Sequence, residues 1–411
     1  KKVAVGYDIR NESPSISSAL IKGLTEGGTD VLNIGLCGTE EVYFATFHHE
    51  LDGGIMVTAS HNPKGYNGMK LVGPEARPIS ADNGLLDVKE LVEAGNFDSP
   101  GHTGKEEVDE DKSAYISHLL SYIDIQALAP MKIVVNPGNG GAGVTLSLLA
   151  EHLPFEFIYL NKEPDGDFPS GVPNPLLLEN QKATQDAVVA GKADLGIAWD
   201  GDFDRCFFFD HNGRFIEGYY LVGLLAETLL KKQPGSAIVH DPRLTWNTIE
   251  QTEAAGGHTV QSKCGHAFIK EVMREQDAIY GGEMSAHHYF KGFSYCDSGM
   301  IPWLLIAELM SKTGKSMKEL VDERMRAYPC SGEINFRVEE TQPVIDRIKA
   351  HFEPKAEAVD TMDGISMSFG NWRFNLRASN TEPLLRLNVE AHQDHALMKE
   401  NLDILVALIE Q

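Results

Sequence analysis

Gly54-Ile55-Met56-Val57-Thr58-Ala59-Ser60-His61-Asn62-Pro63 is the stretch that decides how the 411-residue chain reads. Gly54 to Val57 is a short apolar run, the pattern of a buried strand. Asn62-Pro63 breaks it into a loop. Ser60 is therefore offered at a strand's end, where α/β enzymes place their chemistry. Taken alone, Ser60 also fits an N-cap or turn serine. A serine hydrolase of the nucleophile-elbow type needs G-x-S-x-G, and here Ala59 and His61 flank the serine. A lone hydroxyl is a weak nucleophile that needs activating neighbours. His61 is adjacent, and Lys70 follows past the turn Tyr66-Asn67-Gly68.

Outward from that stretch, one plan occurs three times. Residues 3–7, 131–136 and 236–240 read as strands. Each is followed by a helix (15–24, 144–152, 246–255) and a second strand (31–34, 155–160, 259–261). Each block then runs to a further strand and a polar loop: D-G-G-I-M-V-T-A-S-H, A-D-L-G-I-A-W-D-G-D and Q-D-A-I-Y-G-G-E-M-S. A single βαβ-rich unit used three times, each copy contributing one loop, accounts for the pattern. The last part differs, with helices expected over 343–351 and 395–409 and strands over 365–373 and 384–390. The expected fold class is α/β: three similar βαβ-rich mixed-sheet domains and a smaller C-terminal α+β domain. Their expected limits are 1–126, 127–213, 214–328 and 329–411. The charged segment 103–112 reads as a solvated loop.

Composition narrows the function classes. A chain of this length, 42% hydrophobic, is too long for one core. Five cysteines without a C-x-x-C pair argue against a disulfide framework or a cysteine zinc site and fit a reducing cytoplasm. Lys1-Lys2-Val3-Ala4-Val5 enters a strand pattern directly, with no signal-peptide pattern. No apolar run approaches the roughly 18 residues of a membrane span. A formal net charge of -24 argues against nucleic-acid or anionic-membrane partners. Screening beyond roughly 8 Å still lets a local basic site bind a small anion.

Three further loops carry chemistry. Asp200, Asp202 and Asp204 alternate in Asp200-Gly201-Asp202-Phe203-Asp204-Arg205. Carboxylates so close repel unless a cation sits among them, and hard oxygen ligands at this spacing suit Mg²⁺. A calcium EF-hand needs Gly at loop position six and Glu at twelve; counted from Asp200, those positions hold Arg205 and His211. Arg205 beside the carboxylates suits phosphoryl transfer, where a metal and an arginine share developing charge. Glu283, Ser285 and His287 form a second loop; a carboxylate accepting two hydroxyl hydrogen bonds is a natural sugar reader. Lys263 and His266 add positive charge in the same repeat. Arg377, Ser379, Asn380 and Thr381 form a turn whose guanidinium, hydroxyls and backbone N–H groups make a phosphate nest, though an ordinary polar turn has the same composition. Gly138-Asn139-Gly140-Gly141-Ala142-Gly143 has the dinucleotide-fingerprint form. Pro137 intrudes on it, and no acidic residue clearly ends the next strand, so a structural turn is expected. Gly314-Lys315-Ser316 lacks the glycine of a P-loop, since position 309 is Leu.

T-A-S-H-N-P, D-G-D-F-D-R, G-E-M-S-A-H and R-A-S-N-T-E-P, in this order, resemble the α-D-phosphohexomutase superfamily. The runs G-G-E-M-S-A-H-H-Y-F and C-D-S-G-M-I-P-W-L-L are similar to its bacterial phosphomannomutase branch. The resemblance spans essentially the whole chain. It implies four domains around a central cleft, with Ser60 as the phosphoserine. It implies Mg²⁺ held by Asp200, Asp202, Asp204 and a phosphoserine oxygen. It implies sugar reading by Glu283 and Ser285, and phosphate holding by Arg377, Ser379, Asn380 and Thr381.

The implied reaction interconverts mannose 6-phosphate and mannose 1-phosphate through a hexose 1,6-bisphosphate, which also serves as activator, and feeds GDP-mannose synthesis. Arg205 and Lys70 would assist transfer; Lys70, His61 and His266 are candidate proton movers. A phosphoglucomutase or dual-specificity enzyme is the alternative. A metal-dependent sugar phosphatase and a non-catalytic sugar-phosphate sensor are remoter ones. The implied partners are hexose phosphates, for a cytoplasmic monomer or homodimer. Family members usually open with an aromatic-rich segment ending Tyr-Asp-Ile-Arg-Gly. Tyr7-Asp8-Ile9-Arg10 mimics it, but the V-A-V-G lead and Asn11 fit the family's next motif better. The first domain is therefore expected to be N-terminally incomplete, and Arg10 receives no role.

Overall fold

The computed structural model describes residues 1–97, 100–379 and 384–411. It divides into two compact units, Lys1–Ile216 with Ala286–Met317, and Glu217–Ser285 with Lys318–Gln411.

The first unit holds two sheets of one plan. In the first, Lys2–Tyr7 lies between parallel neighbours Asp30–Leu36 and Gly53–Val57, and Met69–Val72 pairs antiparallel with the latter. In the second, Lys132–Asn136 lies between parallel Glu156–Tyr159 and Leu195–Trp199, and Cys206–Asp210 pairs antiparallel with the latter. Order and sense repeat, so the Ser60 loop and the Asp200–Asp204 loop leave equivalent strand ends. Buried apolar strands of this kind need close helix cover. At Gly54 a Cβ would come within 2.3 Å of the Thr46 hydroxyl on the overlying helix Thr39–His48. The segment 103–112 is not wholly a loop, because Glu106–Val108 adds a parallel edge strand to Asp30–Leu36. All three of its residues are exposed. The strand rests on backbone pairing, which leaves no hydrophobic signature in a sequence.

In the second unit, Ala237–His240 is flanked in parallel by His258–Gln261 and Tyr280–Gly282. The antiparallel pair of the third copy, His288–Phe290 with Cys296–Asp297, belongs to the first unit. The C-terminal part forms an antiparallel sheet in the order Ile334–Arg337, Leu384–Ala391, Trp372–Ala378, Ile365–Ser368, Ala358–Asp360. The helices Thr341–Phe352 and His395–Ile409 supply Val344, Ile348, Phe352 and Leu405 to its core, with Phe374 and Leu387 from the sheet. The continuous strand expected over 365–373 is two strands. A turn at Phe369-Gly370-Asn371 separates them, with Gly370 at φ 74°. A left-handed residue that glycine adopts freely turns the chain here, and the apolar run on both sides hides it.

Glu40, on the helix Thr39–His48, is fully buried. Its carboxylate accepts from the Tyr115 hydroxyl, from Ser298 Oγ at 2.9 Å and from the Gly299 N–H at 2.6 Å. These bonds tie the first sheet's helix to the start of the helix Ile301–Thr313. Each buried donor left unsatisfied costs about 1–3 kcal/mol. Glu40→Ala should therefore lower the unfolding free energy by roughly 3 kcal/mol or more, measured by urea denaturation, and Glu40→Gln should lose less.

Candidate active site

The Ser60 turn is held from beneath by the first strand's end. Asp8 Oδ1 accepts from the Arg10 N–H at 3.0 Å and from Ser13 Oγ at 2.6 Å, and Oδ2 accepts from Thr58 Oγ1 at 2.7 Å. Thr58 Oγ1 in turn accepts from the Ser60 N–H at 2.8 Å. Arg10, 2% exposed, spreads its guanidinium over four carbonyls of the same loop. Its Nη2 donates to Ser60 O at 2.8 Å and Asn62 O at 2.6 Å, and its Nη1 to Pro63 O and Tyr66 O, both at 3.0 Å. Ser60 itself sits at φ 49°. A non-glycine residue there costs about 1–2 kcal/mol and persists only when its surroundings fix it; the Arg10 and Thr58 contacts do so.

The three carboxylates lie in the loop between Leu195–Trp199 and Cys206–Asp210, and all are buried. Ser60 Oγ donates to Asp200 Oδ2 at 3.1 Å. That close approach of two loops needs a glycine, because a Cβ on Gly201 would stand 2.6 Å from the Ser60 carbonyl oxygen. Arg205 grips Asp200 Oδ2 through Nε and Nη2, at 2.8 and 2.7 Å. Lys70, opposite Met56 on the antiparallel neighbour strand, donates to Asp202 Oδ2 at 2.7 Å and Asp204 Oδ2 at 2.6 Å. Thr39 Oγ1 adds a bond to Asp202 Oδ2 at 2.6 Å. Burial pushes the Asp204 carboxyl up, and the neighbouring Asp202 charge adds to it. Burial opposes ionisation of Asp202 too, but Lys70 outweighs it and holds that carboxyl down. The same two carboxylates raise the Lys70 ammonium against the burial that would lower it.

These residues fit a metal. Asp202 Oδ1 and Asp204 Oδ1 are buried with no hydrogen-bond partner. Ligand oxygens from Asp200, Asp202 and Asp204 all lie within 4.8 Å of one another. A buried carboxylate oxygen without a donor is costly, and a hard cation satisfies several at once.

His61 Nδ1 is 3.1 Å from Ser60 Oγ and also contacts Arg205 Nη2. His61 is exposed, yet desolvation by the groups around it and the Arg205 charge hold its imidazole down, to about 4. His287, read from sequence with the sugar-reading loop, stands beside the carboxylates. Its Nδ1 is 2.9 Å from Asp297 Oδ2 and 4.0 Å from Asp204 Oδ1, and its backbone bridges to Arg205. Burial would lower its pKa, but Asp204 and then Asp297 raise it. The glycine-rich turn 138–143 buttresses this loop: the Gly140 Cβ position is 2.8 Å from the Gly201 carbonyl.

The other expected site residues lie in the second unit. Glu283 and Ser285 follow the strand Tyr280–Gly282, and Glu283 Oε1 accepts from the Gly265 N–H at 3.0 Å. Arg243 Nη2 reaches Ser285 Oγ at 3.2 Å, while its fork grips Asp241 at 3.0 and 2.8 Å. Arg377 ends near the Glu333 carboxylate, at 3.2 Å. Ser379 donates its N–H to Leu384 O at 2.8 Å. Lys263 is exposed, with Nζ 5.8 Å from the Phe268 ring centroid, and His266 is the exposed first residue of the helix His266–Glu275. Asn380 and Thr381 lie outside the described residues. Sequence reading missed Arg10, Thr39 and Arg243. Asp8 and Arg10, two apart just past a strand end, were the available signal for the first.

Four family models cover the chain. They are described as phosphoglucomutase/phosphomannomutase alpha/beta/alpha domain I (residues 1–97), domain II (113–213) and domain III (217–328), and C-terminal domain (333–407). The chain belongs to the phosphoglucomutase/phosphomannomutase family. It is 60% identical to a Xanthomonas campestris pv. campestris protein named "Phosphohexose mutases", over 97% of this chain and 89% of that one. It is 57% identical to a Salmonella typhimurium phosphomannomutase, over 100% of this chain and 92% of the relative. A solved structure of a phosphoglucomutase/phosphomannomutase family protein from Burkholderia thailandensis matches with TM-score 0.88 at 28% identity, covering 100% of this chain and 89% of that one. The protein is thus an isomerase-type enzyme of this family, and its acidic loop is a cluster able to hold a metal ion.

Four carbonyls depend on one guanidinium, so Arg10→Ala should release the Ser60 turn without touching the carboxylates. Misplacing a reacting group by about 1 Å costs up to about 10²-fold. The expected outcome is a kcat reduced by roughly that factor, with metal affinity kept, measured by steady-state assay and metal titration.

Proposed function

We propose that the protein interconverts mannose 6-phosphate and mannose 1-phosphate through a phosphorylated Ser60 and a hexose 1,6-bisphosphate. The observation that carries this reading is the 3.1 Å contact between Ser60 Oγ and Asp200 in a buried, metal-competent loop. The phosphomannomutase relatives favour mannose. Five free cysteines fit a cytoplasmic enzyme that supplies mannose 1-phosphate for GDP-mannose.

In the first half-reaction the phosphorus–Oγ bond of phosphoserine 60 breaks as the free sugar hydroxyl oxygen bonds to phosphorus. The sugar hydroxyl gives its proton to a general base and Oγ takes one up, so the half-reaction leaves no net change in protons. In the second half-reaction the other phosphoryl group of the bisphosphate returns to Ser60. Asp200, Asp202 and Asp204 with a phosphoserine oxygen would hold Mg²⁺, which offsets the charge of the transferring group. Arg205, already turned toward Ser60 through Asp200, adds fixed positive charge there. Lys70 is engaged by two carboxylates and serves as a cation rather than a base. His61, in hydrogen-bond contact with Oγ, is the group that exchanges the serine proton. Glu283 and Ser285 read sugar hydroxyls, with Lys263 and His287 as further polar contacts, and His266 is a candidate for moving the sugar hydroxyl proton. Arg377, Ser379, Asn380 and Thr381 hold the phosphate that is not reacting. Mannose and glucose differ only at C2, so phosphoglucomutase activity is the second reading.

The test is isomerisation of mannose 6-phosphate against glucose 6-phosphate with trace hexose 1,6-bisphosphate. Mannose 6-phosphate should give the higher kcat/KM, and Ser60→Ala should turn over neither. Phosphate release to water instead of isomerisation would contradict the reading. Asp202→Asn should weaken Mg²⁺ binding and nearly abolish turnover, and full activity in excess chelator would exclude the metal role.

A further inference from the structure

Arg377 and Arg386 stand directly opposite each other on the antiparallel strands Trp372–Ala378 and Leu384–Ala391. Like charges in that position repel, so an anion belongs between them. Arg243 arrives from the loop after the strand Ala237–His240. All three guanidinium groups converge on one carboxylate, Glu333: Arg243 Nη1 at 3.3 Å, Arg377 Nη2 at 3.2 Å and Arg386 Nη1 at 3.8 Å. Glu333 is held in place by its neighbours. Gly332 stands at φ 67° and its carbonyl accepts from Asn388 Nδ2 at 2.9 Å, and residue 334 opens the strand Ile334–Arg337. The cluster has donors to spare, because Arg377 Nε and Arg386 Nε are buried without a hydrogen-bond partner. Arg243 is also gripped by Asp241 and lies 3.5 Å from Glu283 Oε1, so the unused donors are those of Arg377 and Arg386.

We propose that Arg243, Arg377 and Arg386 form one anion site whose resident counter-ion, Glu333, is exchanged for the phosphate dianion of the substrate. This rests on the reading of Arg377 as a phosphate holder. It adds Arg243 and Arg386 to that site and gives Glu333 the part of an internal competitor. A phosphate offers more acceptor oxygens and more charge than one carboxylate. It therefore displaces Glu333, yet Glu333 keeps the complex weak enough to let go. A mutase that must release and rebind a bisphosphate the other way round benefits from such a competitor.

The experiment is calorimetric titration of the full chain with inorganic phosphate and with mannose 6-phosphate, with melting temperature read in parallel. Glu333→Gln should bind inorganic phosphate at least fivefold more tightly than wild type and lower KM for both monophosphates. Glu333→Asp, which keeps the charge, should return affinity toward wild type. Arg386→Gln should weaken phosphate binding at least fivefold. Unchanged or weaker phosphate binding in a folded Glu333→Gln overturns the exchange. Unchanged binding in Arg386→Gln does so too, should Glu333→Gln not fold. Arg377→Ala separates the two levels. Loss of phosphate affinity in Arg377→Ala with no gain in Glu333→Gln overturns the exchange and keeps the phosphate-holding reading. No loss in Arg377→Ala overturns both.

Discussion

Three carboxylates buried in one five-residue span are the constraint on which the first unit depends. Ionised groups taken out of water cost several kcal/mol each unless they are paired. Here Arg205 covers Asp200, Lys70 bridges Asp202 and Asp204, and Thr39 covers Asp202 further. Two oxygens still lack donors. The cluster is thus under-compensated in a way that a bound cation corrects, and that deficit is what a metal site requires. The partners come from both sheets, so the two copies of the repeat must both be folded before the loop is neutralised.

The Ser60 turn answers a different demand. A serine that is to carry a phosphoryl group, as proposed for Ser60, must stay in one place while its bonds change. Arg10 meets that demand by gripping carbonyls rather than the hydroxyl, leaving Oγ to face Asp200 and His61. In the second unit the arrangement is opposite in sign. Three guanidinium groups meet at one carboxylate, Glu333, while Asp241 and Glu283 hold Arg243 from its other side.

Much of this was legible in the sequence because each loop motif is short and contiguous. Ser60 and the alternating aspartates could be read where they stand, and the repeat followed from strand periodicity; Arg377, expected in a turn, lies at the end of the strand Trp372–Ala378. What escaped depends on distant partners. Arg10 acts on carbonyls 50 to 56 residues away, and Thr39 meets Asp202 across 163 residues. Glu333 gains meaning only beside arginines distant from it in sequence. The edge strand Glu106–Val108 and the turn at Gly370 were missed because neither changes the hydrophobic pattern that strands are read from. His287 was grouped by its neighbours in sequence, whereas the fold sets it against Asp204 and Asp297.

The central claim, that Ser60 hands its phosphoryl group to the sugar and takes back the other one, makes a demand on where atoms end. The direct measurement is a single turnover of phosphorylated enzyme with mannose 6-phosphate labelled in its phosphate, quenched and analysed by mass. The account predicts mannose 1-phosphate without label and label on the Ser60 peptide. Label retained in the product, or released as free phosphate, would contradict it.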